Sequence, residues 1–323
     1  MKAIRVHSPG GPEALKYEEV PAPAPGAGQA TVKLEACGVN YIDVYFRTGA
    51  YKAPLPLTVG LEGAGTVTAV GPGVTDVRVG DRVAWTGVPG SYAQVTAVPA
   101  DRLVKLPDGL TFKDGAAAML QGLTAHYLIT STYPLKPGDI CLIQAAAGGM
   151  GLLLCQMAKM RGATAIGTVS TEDKAALAKA AGADHVILYT KQDFEAEVKR
   201  ITGGAGVHVV YDGVGQSTFD KGLNCLRPRG LMALFGAASG PVPPLDLQIL
   251  SARGSLFVTR PSLNHHIAAR EELLARAGDV LGWIRDGKLR LRVEHQYPLA
   301  DAAEAHRALE GRKTTGKILL IPA

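Results

Sequence analysis

The residues best placed to do chemistry in this chain lie between Gly138 and Lys159, in the stretch GDICLIQAAAGGMGLLLCQMAK. A short apolar run, Ile140 to Ile143, leads into Ala145-Ala146-Ala147-Gly148-Gly149-Met150-Gly151. A second apolar run follows, carrying Gln156 and Lys159 at helical spacing. Strand, small-residue turn, helix is the order in which a chain offers helix-opening amides to an anion. Those N–H groups lack intrahelical partners and sit at the positive end of the peptide dipoles. Small side chains let the backbone close on a pyrophosphate. With Ala146 at the first glycine position and Gly148 and Gly151 at the other two, the spacing nearly matches the dinucleotide-binding fingerprint. Ala147, Gly148, Gly149, Met150 and Gly151 are therefore the expected phosphate-lining residues. Two other readings compete. A chain with 39 glycines produces loose glycine patterns by chance, and a turn that merely packs a helix on a strand would look the same. A membrane span over residues 140–158 is the second, and Gly148-Gly149, Gln144, Gln156 and the lack of flanking basic residues argue against it.

The identity of the dinucleotide is read at the end of the next strand. Proteins that prefer the unphosphorylated cofactor place an acid there, about 20 residues after the glycine turn, to hold the ribose hydroxyls. This chain has Thr168-Val169-Ser170, with no acid until Glu172. Lys174 follows and can reach a 2′-phosphate, or it is simply a solvated residue beside Glu172 and Asp173. The missing acid favours NADPH, with Ser170 and Lys174 at the phosphate.

Regular alternation surrounds this stretch. Strand-like runs at Ile140–Gln144, Thr164–Val169, His185–Tyr189, His208–Tyr211, Leu231–Phe235 and Ser255–Val258 are separated by helical stretches such as Asp173–Ala181 and Phe194–Ile201. Such alternation demands crossover connections, hence an α/β architecture with a parallel sheet covered on both faces. Six strands make a doubly wound Rossmann domain, placed at 123–260. The first 120 residues differ. They are rich in Val, Gly and Pro, with short strands at Lys2–Val6, Ala30–Cys37, Gly65–Val70, Arg82–Trp85, Ser91–Thr96 and Leu103–Lys105, and read as an irregular β-barrel. The tail from Pro261 adds a helix (Arg270–Arg285), a strand (Arg292–Tyr297), a helix (Ala300–Leu309) and a last strand, Lys317–Ile321. It is too short for its own core and is expected to complete the first domain. The division is thus 1–122 with 261–323, and 123–260.

Bulk composition narrows the class. With 323 residues, 47% of them apolar and 20% charged, the chain reads as an ordinary globular protein of two domains. Cys37, Cys141, Cys155 and Cys225 are scattered and form no Cys-x-x-Cys pair. The amino terminus, MKAIRVHSPGG, lacks the apolar core of a signal peptide. A reducing, cytoplasmic setting is expected. The net charge of +5 is spread along the chain, so no nucleic-acid face is predicted, and no membrane association. The eight histidines form no ligand cluster in the sequence.

Three segments carry a family resemblance that extends over essentially the whole chain. They are Gly38-Val39-Asn40-Tyr41-Ile42-Asp43, then Gly60-Leu61-Glu62-Gly63-Ala64-Gly65 with Gly71 and Val74, and finally Gly138 through Lys159. Together they resemble the medium-chain dehydrogenase/reductase family, in its zinc-independent quinone oxidoreductase and zeta-crystallin branch. The resemblance implies a GroES-like catalytic domain beside the Rossmann domain, and a homodimer. The zinc ligands of the metal-dependent relatives correspond here to Asn40, Leu61 and Gln121, no ligand set for zinc, and the lobe with four closely spaced cysteines is absent. Without a metal to ionise an alcohol, the acceptor must spread the arriving charge itself, as a quinone or conjugated enone does.

The resemblance also assigns residues. Asn40 would hydrogen-bond the nicotinamide ribose or the substrate carbonyl, the alternative being a turn-forming Asn. Tyr45 and Tyr51 are candidate proton donors, the alternative being packing residues. Thr124 would touch the nicotinamide end, compatibly with capping the next helix. Tyr189 and Arg312 join Lys174 as candidates for the 2′-phosphate, and Phe235-Gly236 with Phe257-Val258-Thr259 would hold the carboxamide. The activity implied is an NADPH:quinone reductase acting on a small-molecule quinone. An enone or double-bond reductase is the near alternative, and a cofactor-binding crystallin-like structural or RNA-binding protein the distant one.

Overall fold

The computed structural model of the chain describes residues 1–322. It divides into two compact units, one comprising Met1–Leu123 and the stretch from His266 onward, the other Thr124–His265. The first contains strands β1 (Lys2–Val6), β2 (Lys16–Glu19), β3 (Gln29–Val39), β4 (Leu57–Thr58), β5 (Glu62–Val70), β6 (Arg82–Thr86), β7 (Val95–Pro99) and β8 (Val104–Lys105). Helix α1 (Tyr41–Arg47) follows β3, and helix α2 (Phe112–Tyr127) contains the division between the units.

The second unit begins with β9 (Ile140–Ile143), the glycine turn and α3 (Gly149–Met160). It continues through β10 (Thr164–Val169), α4 (Glu172–Ala180), β11 (His185–Leu188), α5 (Phe194–Ile201), β12 (Val207–Asp212), α6 (Phe219–Asn224), β13 (Leu226–Leu234), α7 (Gln248–Ala252) and β14 (Phe257–Thr259). A short helix, α8 (Leu263–His266), leads back to the first unit, which adds α9 (Arg270–Arg285), β15 (Val293–Pro298), α10 (Ala302–Glu310) and β16 (Lys317–Ile321). No described helix is long and apolar enough to cross a membrane.

All six strands of the second unit pair in parallel, in the order β11-β10-β9-β12-β13-β14. The order runs outward in both directions from β9, the doubly wound arrangement expected. Ligands in such sheets bind beyond the strand carboxyl ends, where the order reverses. Here that point lies between β9 and β12, and β9 is the strand that feeds the glycine turn. Its core strand is wholly apolar, with Cys141, Leu142 and Ile143 inaccessible, as a strand covered on both faces must be.

The first unit has a longer, mostly antiparallel sheet, β15-β16-β3-β5-β6-β8, with β7 also paired to β3. The tail strand β16 lies directly against β3, Ile318 opposite Val39 and Leu320 opposite Cys37. Its core gathers Val32, Leu34, Val67, Trp85, Tyr92, Ile318 and Leu320. One strand departs from expectation: the run Ser91–Thr96 is not a strand at its start, and pairing begins at Val95, opposite Lys33. The reason is local. Ser91 and Tyr92 are fully buried, and their backbone groups are taken by Gly60, Val59 and Ile4 in an irregular pattern that no continuous ladder could satisfy.

Candidate active site

At the glycine turn, the N-cap of α3 is Gly148, which has no side chain to satisfy the first-turn amides, and no acid occupies that turn. The positive end of a twelve-residue helix is therefore left for an anion. Gly151 has a separate role. A Cβ there would lie 2.4 Å from the Ala145 carbonyl oxygen and 2.5 Å from the Ala146 Cα, so only glycine lets helix and strand approach this closely. The alanine at the first fingerprint position is explained by its neighbour. A Cβ on Gly167 would lie 2.6 Å from the Ala146 methyl, so the methyl occupies space that β10 vacates. Beneath the turn, Thr168 Oγ1 donates to Gln144 Oε1 at 2.6 Å and accepts from the Ala145 amide at 3.3 Å.

Because the strands are parallel, their carboxyl ends share one edge, which gathers most of the cofactor candidates of this unit. Ala147 to Gly151 follow β9, Ser170 follows β10 with Lys174 in the first turn of α4, and Tyr189 follows β11. The Lys174 amide is capped by Thr171 Oγ1 at 3.3 Å, and Tyr189 is 41% exposed. Phe235-Gly236 follow β13, close against the loop after β12: a Cβ on Gly236 would strike the Gly213 carbonyl oxygen. That loop is set by Asp212, whose carboxylate accepts from the amides of Val214 and Gly215 and from Thr218 Oγ1. Asp212 was not among the sequence candidates, although an Asp-Gly pair closing a strand is a readable signal. In β14, Thr259 and Val258 lie at the carboxyl end. Phe257 does not: it pairs with Leu231, two positions back, and is 59% exposed. Thr124 is buried inside α2, and the N-cap of the helical turn that follows is Tyr127, so Thr124 is not a helix cap.

Residues of this edge fit a phosphorylated dinucleotide. The uncapped helix start suits the pyrophosphate, and Ser170 leaves no carboxylate to repel a 2′-phosphate. Arg312 belongs to the first unit, exposed just past α10 with a left-handed φ of 55°.

The first unit holds a different kind of constellation. Asn40 is the N-cap of α1 and is 3% exposed. Its backbone amide donates to Asp43 Oδ2 at 2.8 Å, and the Asp43 amide donates back to the Asn40 carbonyl at 3.0 Å. The Asn40 side chain is turned away to a buried ion pair. Its Oδ1 accepts from Lys317 Nζ at 2.7 Å and Gln121 Nε2 at 3.3 Å, and its Nδ2 donates to Glu62 Oε2 at 2.8 Å. Lys317 Nζ also donates to Glu62 Oε2, and the Leu120 amide donates to Glu62 Oε1. Neither charge reaches solvent, with side-chain exposures of 3% and 0%.

A second chain of contacts runs from Asp43. Tyr92 Oη donates to Asp43 Oδ2 at 2.9 Å and lies 3.2 Å from His306 Nε2. His306 Nδ1 lies 3.2 Å from Arg47 Nη1, and the Arg47 guanidinium grips Glu310 at 2.7 and 2.8 Å. Arg47 has only donors, so His306 Nδ1 must accept, and its Nε2–H donates to Tyr92. Burial pushes the Asp43 carboxyl up to about 7, against backbone and tyrosine hydrogen bonds that pull it down. Its Oδ1 has no partner. Burial, with the neighbouring Arg47 charge, holds His306 down to about 3.

Tyr45 and Tyr51 come together, ring centroids 5.2 Å apart, with Tyr41 6.3 Å from Tyr45 and Phe46 edge-on to Tyr51 at 5.7 Å. Tyr45 is half-buried and Tyr51 40% exposed, a group of ring faces suited to a flat acceptor. Zinc does not fit the corresponding residues. Asn40 is committed to Lys317, Glu62 and Gln121, Leu61 is buried and apolar, and Gln121 is a neutral amide. Among the described residues no group of three His, Cys, Asp or Glu side chains could hold a metal ion. The sequence motif contained Glu62, but nothing in its pattern pointed to Lys317, Tyr92 or His306.

Two family patterns match the chain: an alcohol dehydrogenase GroES-like domain over residues 26–108 and a zinc-binding dehydrogenase over residues 149–274. The chain is 46% identical to a quinone oxidoreductase of Pseudomonas aeruginosa over 99% of each chain. It is 45% identical to a 2-haloacrylate reductase of Burkholderia sp, over 99% of this chain and 98% of the other. Among solved structures it resembles an Escherichia coli quinone oxidoreductase complexed with NADPH, with 44% identity, full coverage of both chains and a TM-score of 0.98.

Proposed function

The chain belongs to the medium-chain dehydrogenase/reductase family, in its quinone oxidoreductase branch, and on that premise we propose that it is an NADPH-dependent quinone oxidoreductase working without a metal. The observation that carries this reading is the uncapped, acid-free start of α3 on the central strand, followed by Ser170 where an acid would select NADH. The amides of Gly149, Met150 and Gly151 bind the pyrophosphate, with Ala147 and Gly148 shaping the turn. Lys174 and Tyr189 hold the 2′-phosphate beside Ser170, and Arg312 of the first unit is the further phosphate candidate. Thr124, Phe235, Gly236, Val258 and Thr259 position the nicotinamide end, and Phe257 has the weakest claim of the group because it stands back from the strand ends. NADPH supplies the hydride when bound.

Asn40 donates a hydrogen bond to the nicotinamide ribose or the substrate carbonyl. Tyr45 and Tyr51 align a flat acceptor and offer a hydroxyl to the oxygen that gains charge. No Lewis acid is needed, because a quinone delocalises that charge over its own ring. The likeness to a 2-haloacrylate reductase supports a second reading, reduction of an activated carbon–carbon double bond by the same residues. The four cysteines are free and buried, which suits a reducing cytoplasm. Strand β14 ends the six-strand order, with Phe257 and Leu247 exposed at 59% and 70%, which suits a homodimer.

The test is NADPH oxidation measured against a quinone panel and an enone and haloacrylate panel, repeated with NADH. Turnover of quinones with NADPH preferred is the expected result. Turnover confined to activated double bonds selects the second reading, and tight NADPH binding with no turnover on either panel overturns both.

A further inference from the structure

Lys317 and Glu62 form an ion pair in which both charges are out of solvent. Such a pair is a poor source of stability. Stripping water from each ion costs several kcal/mol, and an apolar pair of similar volume is often as stable or more so. What the pair does supply is direction. Asn40 stands between the two charges and touches both.

An amide side chain can be turned end for end with little change of shape, exchanging its oxygen and nitrogen. At most sites either end finds partners. Here it cannot. Lys317 carries hydrogens and no lone pair, so it must face Oδ1. The Glu62 carboxylate carries lone pairs and no hydrogen, so it must face Nδ2. Gln121 Nε2 also addresses Oδ1, filling its second lone pair. Glu62 is itself held, since its other oxygen accepts from the Leu120 amide at 2.6 Å. The second amide hydrogen of Asn40 is donated to the Gly38 carbonyl oxygen at 3.4 Å, the longest bond of the set and the one a ligand oxygen would displace.

We infer that Lys317 and Glu62 are positioning residues that lock Asn40 as a hydrogen-bond donor and deny it any role as an acceptor. The inference rests on the reading of Asn40 as a ligand contact, and it specifies the ligand atom. That atom is an oxygen carrying a lone pair: a hydroxyl of the nicotinamide ribose or the carbonyl of the acceptor. If it is the carbonyl, the locked N–H points at an atom that gains negative charge during reduction, where a fixed donor is worth more than in the ground state.

The test is a cycle of four proteins: the parent chain, Asn40→Ala, the pair variant Glu62→Gln with Lys317→Met, and all three substitutions together. The pair variant removes both charges and leaves no unpaired ion. Its new amide keeps an oxygen toward the Leu120 amide, turns a nitrogen toward Asn40, and so favours the reversed orientation. For each protein, kcat and KM for a quinone, the NADPH dissociation constant from nicotinamide fluorescence, and the melting temperature are measured. Asn40→Ala and the pair variant should each lower kcat/KM about tenfold, the scale of one lost hydrogen bond, and the triple variant should be no worse than Asn40→Ala. A fall in kcat marks the acceptor carbonyl as the partner, and a weakened NADPH constant marks the ribose.

Losses that multiply in the triple variant would overturn the inference, since the pair would then act by another route. So would a pair variant with unchanged kinetics and NADPH affinity beside an impaired Asn40→Ala. An Asn40→Ala protein with unchanged kinetics and affinity removes the ligand-contact reading itself, a separate failure. Should the pair variant fold poorly, the same cycle is run with Glu62→Gln and Lys317→Gln, which also leaves no unpaired ion and lets Asn40 face either way.

Discussion

The two units build their sites from opposite materials. In the second, the proposed anion contacts are backbone amides at the start of α3, where no side chain caps the helix and the neighbours are small. In the first, the decisive atoms belong to side chains, and the backbone only delivers them: Asn40, Asp43, Glu62, Tyr92, His306 and Lys317, all at most 3% exposed. A site of backbone amides tolerates changes that leave room, and fails when a Cβ intrudes. A site of buried charges tolerates almost nothing that alters one partner alone. The contrast teaches where the chain is fragile and in what currency the damage appears, affinity in one case and stability in the other.

The sharpest way to break the contrast is at Lys317. Lys317→Met leaves the Glu62 carboxylate buried without its cation and should cost about 3–5 kcal/mol, while adding Glu62→Gln should restore much of the loss. Urea unfolding of both variants checks this; equal destabilisation would mean that the cavity, not the orphaned charge, is responsible. In the second unit, Gly151→Ala places a methyl against the Ala145 and Ala146 backbone. It should cost about 1–3 kcal/mol by overpacking and weaken NADPH binding, read by denaturation and by fluorescence titration. Normal affinity would show that the turn is not where the pyrophosphate sits. Lys174→Ala removes a single charge at the edge of that site. NADPH binding should fall by about tenfold, or roughly 1.4 kcal/mol, with NADH little affected; equal losses for the two would remove the 2′-phosphate role.

The same contrast can be sharpened within the first unit by a pair of slopes. Asp43 holds its proton up to about 7 in the fold, against 3.8 when exposed, so its burial costs stability progressively as pH rises through that interval. His306 runs the other way. Its folded value of about 3 against 6.5 means that the unfolded chain takes up the proton first, so stability is lost as pH falls below 6.5. Asp43→Asn should flatten the first slope and His306→Gln the second, measured as urea midpoints between pH 4 and 8. Identical profiles for both variants would show that the two groups titrate as one unit through Tyr92.

The same contrast explains what could be read in advance. The alternation of strands and helices, the turn at Ala146–Gly151 and the absence of an acid at Ser170 are local strings, and local strings carry backbone geometry. The Ser91–Thr96 run reads as a strand, but burial of Ser91 and Tyr92, a tertiary fact, overrides the alternation of small and apolar residues there. Phe257 was expected at a strand end, and the actual strand starts with it, since β14 runs on to Thr259. Most of all, the partners of Asn40 were invisible. Lys317 is 277 positions away and His306 looks like any helix histidine; no periodicity links them. Asn40 itself was found through family resemblance, whereas its confinement by two charges belongs to the fold.

The antiparallel pairing of β16 with β3 joins segments far apart in the order of synthesis. A chain emerging from the ribosome, amino end first, presents Asn40 and Glu62 long before Lys317 exists, with the whole second unit made in between. The dinucleotide unit can therefore mature early, on local contacts, while the first unit must wait with a carboxylate that has no cation to meet. During that interval the nascent chain carries the glycine turn, while Arg312 and Lys317 are still to come.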